Sequence, residues 1–314
     1  MVLGDGIRRN ISTLDDPEEK KRFIKAILTL NKKFYPGKRD DAVVGHVSHW
    51  FKQDEIHQST HVHHGPAFLP WHRNLCNRFE MLLRGVDPQL SLHYWDWNQD
   101  PIDILTSDPH VLGLGAANGP AGEPLLSAGF YVPDANRYRS DSPFDLAHSN
   151  PCDPPRTLTR QKDEEKPDFG ILDDDIIKKP NFPEMRLLLE RKHDLAHNYI
   201  GGTIGDSHTS FRDPFVFLLH SNVDRLFAAW QLHPEHKKER LNPDTVYGDE
   251  RDTETTGNFP EAHIGILSPL EPWSGIDAAG AEAILQIRPW AAPENEQMAI
   301  NSRHPSVVKP PQYG

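Results

Sequence analysis

The chain has little sulfur, no long apolar run and a deficit of basic charge. Two cysteines in 314 residues, Cys76 and Cys152, are too few for a disulfide framework or a thiolate-built metal cluster. They either pair or stay free, and their spacing does not choose. No stretch approaches the length needed to cross a membrane. The first residues, MVLGDGIRRNISTLDDPEEKKRF, lack the apolar centre of a signal peptide. A soluble cytoplasmic protein is therefore expected, although export alongside a second, signal-bearing chain would leave no trace. Lys and Arg number 34 against 46 Asp and Glu, a net charge of -12. That balance disfavours nucleic acid or an anionic membrane as partner, since both attract basic surfaces.

Hydrophobic residues make up only 37% of the chain, with 28 prolines and 21 glycines. This composition predicts a compact helical centre wrapped in irregular connections. Against these shortages stand 18 histidines, so imidazole nitrogen is the metal donor the chain has in quantity.

Helical spacing runs from Asp15 to Lys33, where Phe23, Ile24, Ile27 and Leu30 share a side. Further helices are predicted over about Asp41–Lys52, His72–Leu83, Pro183–Tyr199 and Asp213–His233. Between Asp100 and Pro183 the pattern dissolves into Pro, Gly, Asp and Ser, which reads as a long surface connection. The last eighty or so residues read as a peripheral wrap containing one short helix.

The histidines fall on these helices. His193 and His197 are four residues apart in RKHDLAHNYIGG, so their rings lie one turn apart on one helix face. His220 lies in the apolar run DPFVFLLHSNVDRLFAAW, where both ring nitrogens need partners. Asp224 and Arg225, one turn on, read either as groups supporting a ligand or as a buried structural ion pair. In THVHHGPAFLPWHRNLCNRFE, His72 sits at a helix start and His63 enters from the preceding loop. His46 and His49 occupy the preceding helix. His49, His57, His61 and His64 read as ordinary surface or loop histidines. Two trios can be assembled on four helices, and three neutral imidazoles per ion leave an open coordination position. Paired trios favour copper over zinc.

The segment HHGPAFLPWHR with the following RNLCNRFEMLLR and LHYWDWNQD resembles the first copper-site region of tyrosinases. ERKHDLAHNYIGG with DPFVFLLHSNVDRLFAAWQ resembles the second. The likeness spans about His46 to Gln231. It implies a type 3 dicopper polyphenol oxidase of the short bacterial kind, with two copper ions as cofactor. It also implies a mainly α fold, a central antiparallel four-helix bundle holding the site inside long irregular loops. One catalytic domain would cover 1–314, with the ligand core over about 41–233 and the wrap over about 241–314. Carried over by residue, the resemblance assigns His46, His63 and His72 to the first copper and His193, His197 and His220 to the second. His46 has His49 as its rival; it lies 17 residues ahead of His63, the family's usual interval, against 14 for His49.

The implied activity is ortho-hydroxylation of monophenols and oxidation of o-diphenols to o-quinones, with O2 and a phenolic small molecule as partners. A copper-delivery protein is a further possible partner. Deprotonating a monophenol needs a base or activated water near the metal. Glu190 matches the family's water-holding glutamate, its bland alternative being a helix-surface carboxylate. Asp194 stands where many tyrosinases carry Asn. Asn198, Ser207, His208 and Phe217 are candidate pocket residues, Phe217 equally readable as plain core. Leu219 replaces a non-ligating histidine common in the family, His93 replaces the proline before YWDW, and His61 replaces a cross-linking Cys. The alternatives are a catechol oxidase or o-aminophenol oxidase without hydroxylation, an O2 carrier like hemocyanin, and a zinc hydrolase using one trio.

Overall fold

The computed structural model describes residues 4–33, 48–51, 53–54, 57, 63, 68–101, 158, 160, 167–207, 209–240 and 311–313. Within them the chain is mainly helical. A two-residue strand β1 (Ile7–Arg8) leads into α1 (Pro17–Lys32), and α2 (Phe68–Val86) follows. Then come α3 (Asp173–Ile177), α4 (Phe182–Ile200), α5 (Gly202–Gly205), α6 (Val216–Gln231), α7 (Lys237–Arg240) and strand β2 (Gln312–Tyr313).

The helix starts follow from local chemistry. Asp16 caps α1 by accepting from the Glu18 N–H at 2.9 Å, with Pro17 in the first turn. Asn181 does the same for α4 through the Glu184 N–H at 3.0 Å. Helix α2 begins at Phe68, two residues before Pro70, so the proline sits in the first turn, where its missing N–H costs no hydrogen bond. The expected long connection up to Pro183 contains α3, a short helix that periodicity alone is too brief to reveal. The helix expected over Asp41–Lys52 lies mostly outside the described residues, and with it the fourth member of the expected bundle. Phe51, Gln53, Asp54 and His57 are helical.

Helix α6 is the hub. It packs against α2, α3 and α4, while α1 covers α2. Of its sixteen residues all but Arg225 and Ala229 are buried, so its apolar surface is contacted on nearly every side. Phe79 of α2 stacks on Phe217 of α6 with ring centroids 3.8 Å apart, and Trp50 closes on both. Cys76 is a free thiol in this core, its pKa raised by burial; Cys152 lies outside the described residues.

Charged groups bind these helices together. Asp173 at the start of α3 accepts from Lys192 of α4 at 2.6 Å and from Arg225 of α6 at 2.9 Å. Trp97 of the YWDW turn adds an indole N–H to the same carboxylate at 3.3 Å. Asp224 is buried between Arg73 of α2 and Arg8 of β1, which settles it as part of a buried ion-pair network. Of the expected C-terminal wrap, only β2 and the residue before it are described. It pairs in parallel with β1, and the Tyr313 hydroxyl donates to Asp224 at 3.0 Å. The chain's two ends thus close onto the helix that carries His220. No helix among the described residues is long and apolar enough to cross a membrane.

Candidate metal centre

Two groups of three histidines lie side by side inside this helical core. His193, His197 and His220 offer ring nitrogens within 4.8 Å of one another, and His57, His63 and His72 do the same. The groups face each other closely. His72 stacks on His220 at 4.7 Å between centroids, and His63 lies 6.2 Å from His193.

Local structure orients the rings. The His72 Nδ1–H donates to the Phe68 carbonyl one turn back at 2.8 Å. His193 Nδ1 lies 2.9 Å from Asp194 Oδ1, and His197 Nδ1 lies 2.7 Å from the Ile204 carbonyl. That last contact depends on Gly201 and Gly202, with φ of 60° and 59°. This left-handed conformation, open to glycine at little cost, turns the chain at the end of α4 and brings Ile204 back under His197. Carbonyl and carboxylate oxygens only accept, so the proton of each neutral ring sits on Nδ1 and the lone pair on Nε2 points inward.

Burial keeps the rings of His72, His197 and His220 neutral. It pulls the pKa of His72 and His220 well below the ordinary histidine value and that of His197 down to about 3, with neighbouring imidazoles adding to each shift. A neutral imidazole is the form that binds a metal.

The donor set fits a pair of copper ions. The Nε2 atoms of His72 and His193 are buried with no hydrogen-bond partner among the described residues. Each such orphan costs about 1–3 kcal/mol unless something accepts its lone pair. His197 Nε2 and His220 Nε2 lie 3.2 Å apart, close to the roughly 3.3 Å expected of two nitrogens on one tetrahedrally bound ion. All six donors are nitrogen, with no thiolate among them, a set suited to copper.

The remaining expected residues fall as follows. His46, His61, His64 and His208 lie outside the described residues. His49 is half-buried, and burial drops its pKa to about 4. His57, expected to be an ordinary surface or loop histidine, is buried, and its donor nitrogen groups with those of His63 and His72. Glu190 is not a surface carboxylate: it is buried and accepts from Arg186 at 2.7 Å. Asp194 is half-exposed at the edge of His193. Asn198 and Ser207 are exposed.

Phe217 belongs to the core, against Phe79 and Trp50. The aromatic rings that meet the histidines include Phe68, Trp71 and, unmarked in the sequence, Phe211. Phe211 stacks on His57 at 4.1 Å and touches His220 at 5.0 Å. It lies in a 3-10 turn, Ser210–Arg212, held by a buried Arg212–Asp54 ion pair at 2.9 Å. No helical period marks such a residue, although the run SFRDPF is apolar enough to flag a buried turn. His93, in place of the family's proline, is buried beside Phe23 of α1.

A family model described as the common central domain of tyrosinase matches residues 40–233. A tyrosinase of Streptomyces glaucescens is 30% identical over 243 residues, covering 73% of this chain and 84% of that protein. A tyrosinase-like protein of Caenorhabditis elegans is 28% identical over 281 residues; the match takes in 87% of this chain but only 38% of that longer protein. Among solved structures, a polyphenol oxidase mutant from Thermothelomyces thermophila shares the fold, with a TM-score of 0.57 at 21% identity, over 78% of this chain and 75% of that one. The match across the central domain, together with two facing histidine trios in a helical core, makes the chain a member of the tyrosinase family, copper oxidases with a dinuclear type 3 centre.

Proposed function

We propose that this chain is a phenol oxidase whose dicopper centre converts o-diphenols to o-quinones with O2, with His57, His63 and His72 holding one copper and His193, His197 and His220 the other. The observation that carries the reading is the facing of the trios, with His72 stacked on His220 at 4.7 Å. Such closeness suits two ions acting on one small molecule. When bound, the copper pair supplies the electron transfer between substrate and O2. Two o-diphenols are oxidised for each O2, which leaves as two waters.

The protein's own groups set up that chemistry. The carbonyls of Phe68 and Ile204 and the Asp194 carboxylate fix three rings with Nε2 inward, so little reorganisation is needed on metal binding. Phe211 and Phe68 wall the histidines with apolar surface; Phe68 lies 4.6 Å from His72 and 5.0 Å from His193. A planar phenol fits such a lining.

Monophenol hydroxylation is the second reading, and it demands a base. Glu190 is held by Arg186 as a buried carboxylate, and an ion-paired carboxylate is a weak base. Asp194, half-exposed beside His193, is the better-placed acceptor for a phenolic proton. Hydroxylation should therefore run slower than diphenol oxidation and depend on Asp194.

Oxygen uptake by the copper-loaded protein tests both readings, using tyramine, then the matching catechol, with His197→Ala as control. Uptake with catechol that the variant loses supports the oxidase. Uptake with tyramine as well adds the hydroxylase. Oxygen binding without turnover of either would replace the enzyme reading with O2 carriage.

A further inference from the structure

A third group of potential metal donors lies away from the paired trios. His233, Glu235 and His236 follow the end of α6, and their donor atoms lie within 4.8 Å of one another. His233 comes thirteen residues after His220. The helix runs eleven of those residues, to Gln231, and at about 1.5 Å of rise per helical residue its end stands roughly 16 Å along the axis from that ligand. We propose that these three residues form a separate site for one divalent ion of the zinc or copper class.

The turn that carries them is built rather than loose. Helix α6 ends at Gln231, and Pro234 follows His233 with its backbone angle fixed by the ring. The His236 N–H then closes on the His233 carbonyl at 3.0 Å, and the Arg240 N–H closes on that of His236, also at 3.0 Å. Arg240 clamps the far side. Its buried guanidinium donates to the carbonyls of Trp230 at 2.8 Å and Lys179 at 2.9 Å and lies over the Trp230 ring at 4.3 Å. The two imidazoles are thereby held 5.7 Å apart between centroids and only 28° from parallel.

The chemistry of the donors selects the ion. Two imidazoles and one carboxylate suit a borderline ion such as Zn2+ or Cu2+, whereas Ca2+ and Mg2+ prefer oxygen alone. The His233 Nδ1 is buried with no hydrogen-bond partner among the described residues, a donor position an ion would satisfy. Nitrogens and oxygens bound to one tetrahedral ion sit about 3.3–3.5 Å apart, so small side-chain rotations draw the group closed. Glu235 is exposed and both histidines are partly so, which leaves the site open to exchange with solvent and one position free for water.

The experiment is a zinc titration of the untagged, copper-loaded full chain by calorimetry, with bound metals counted by elemental analysis. The expected result is one Zn2+ per chain beyond the copper already held. Glu235→Gln and His236→Gln should each weaken that binding by at least about tenfold, the scale on which even indirect ligand support acts. Catechol oxidation should be unchanged in both variants, which reports that the fold and the paired trios are intact. Zinc that strays into the paired trios would bind equally well in both variants. A parallel copper arm reads an isolated Cu2+ by its unpaired electron; the signal should appear in the parent and vanish in both variants. No ion bound beyond the dicopper pair, or affinity and signal untouched by both substitutions, overturns the site.

Discussion

The imidazole of His72 on α2 lies stacked on that of His220 on α6, the ring planes 15° apart. Each ring belongs to a different trio, so the distance between the metal positions is set by how α2 packs on α6. That packing rests on Phe79 against Phe217 and on the buried Arg73–Asp224 ion pair. The centre is therefore coupled to groups that touch no ligand.

The choice of first-trio ligand is open to direct test. His57→Ala should reduce bound copper from two ions per chain towards one, whereas His46→Ala should leave two. Copper analysis after dialysis reads the difference. The opposite pattern would return the ligand role to His46.

Asp194 takes the Nδ1 side of His193. Asp194→Ala should leave the fold intact and weaken copper retention against a chelator by about 10–100-fold, the usual cost of losing a ligand's hydrogen-bond partner. Asp194→Asn, which keeps an acceptor oxygen, should recover most of the loss. Equal chelator sensitivity in all three proteins would show that the carboxylate does not orient the ring.

Tyr313 reaches Asp224 from the chain's last strand. Burial holds its phenol well above the ordinary tyrosine pKa, so it stays a donor. Removing its hydroxyl as Tyr313→Phe should cost about 2 kcal/mol, the scale of a hydrogen bond to a charged group. Asp224→Ala should cost about 3–5 kcal/mol, because buried Arg73 and Arg8 each lose a carboxylate partner, with Glu80 left to Arg8. Urea unfolding of the metal-free proteins measures both; the reverse order of losses would refute the network's centring on Asp224.

His93 supplies a pH dependence. Burial lowers its pKa to about 4 against the ordinary 6.5, and Arg9 adds to the shift. Glu19 at 3.7 Å pulls the other way, but burial prevails. The unfolded chain binds a proton below 6.5 that the folded one refuses, so stability falls as pH drops through the window from 6.5 to 4. From pH 7 to pH 5 this residue should remove about 2 kcal/mol. His93→Leu should lose that much less than the parent over the same range, while an equal loss in both would rule His93 out as the source.

Helices α1, α2, α4 and α6 are legible in the sequence because a 3.6-residue period is a local property. The same period places His193 and His197 on one face, and the apolar run around His220 announces a buried imidazole. Helix α3, with five residues, is too short to show a period. His57 was hidden for another reason: the buried positions leading to it, Trp50, Gln53 and Asp54, are largely polar, so no hydrophobic stripe marks their face.

The sequence by itself determined which elements are helical, that imidazole is the donor, and that the ligands come in two trios. Only the tertiary structure places His57 beside His63 and His72, lines the histidines with Phe211 rather than Phe217, and pairs Glu190 with Arg186. It also decided that the C-terminal strand locks the helix behind His220. Spacing along the chain fixes what lies on one helix face. Which of several loop or turn residues arrives at a buried point depends on the path of the whole chain, and on which charges its core brings together.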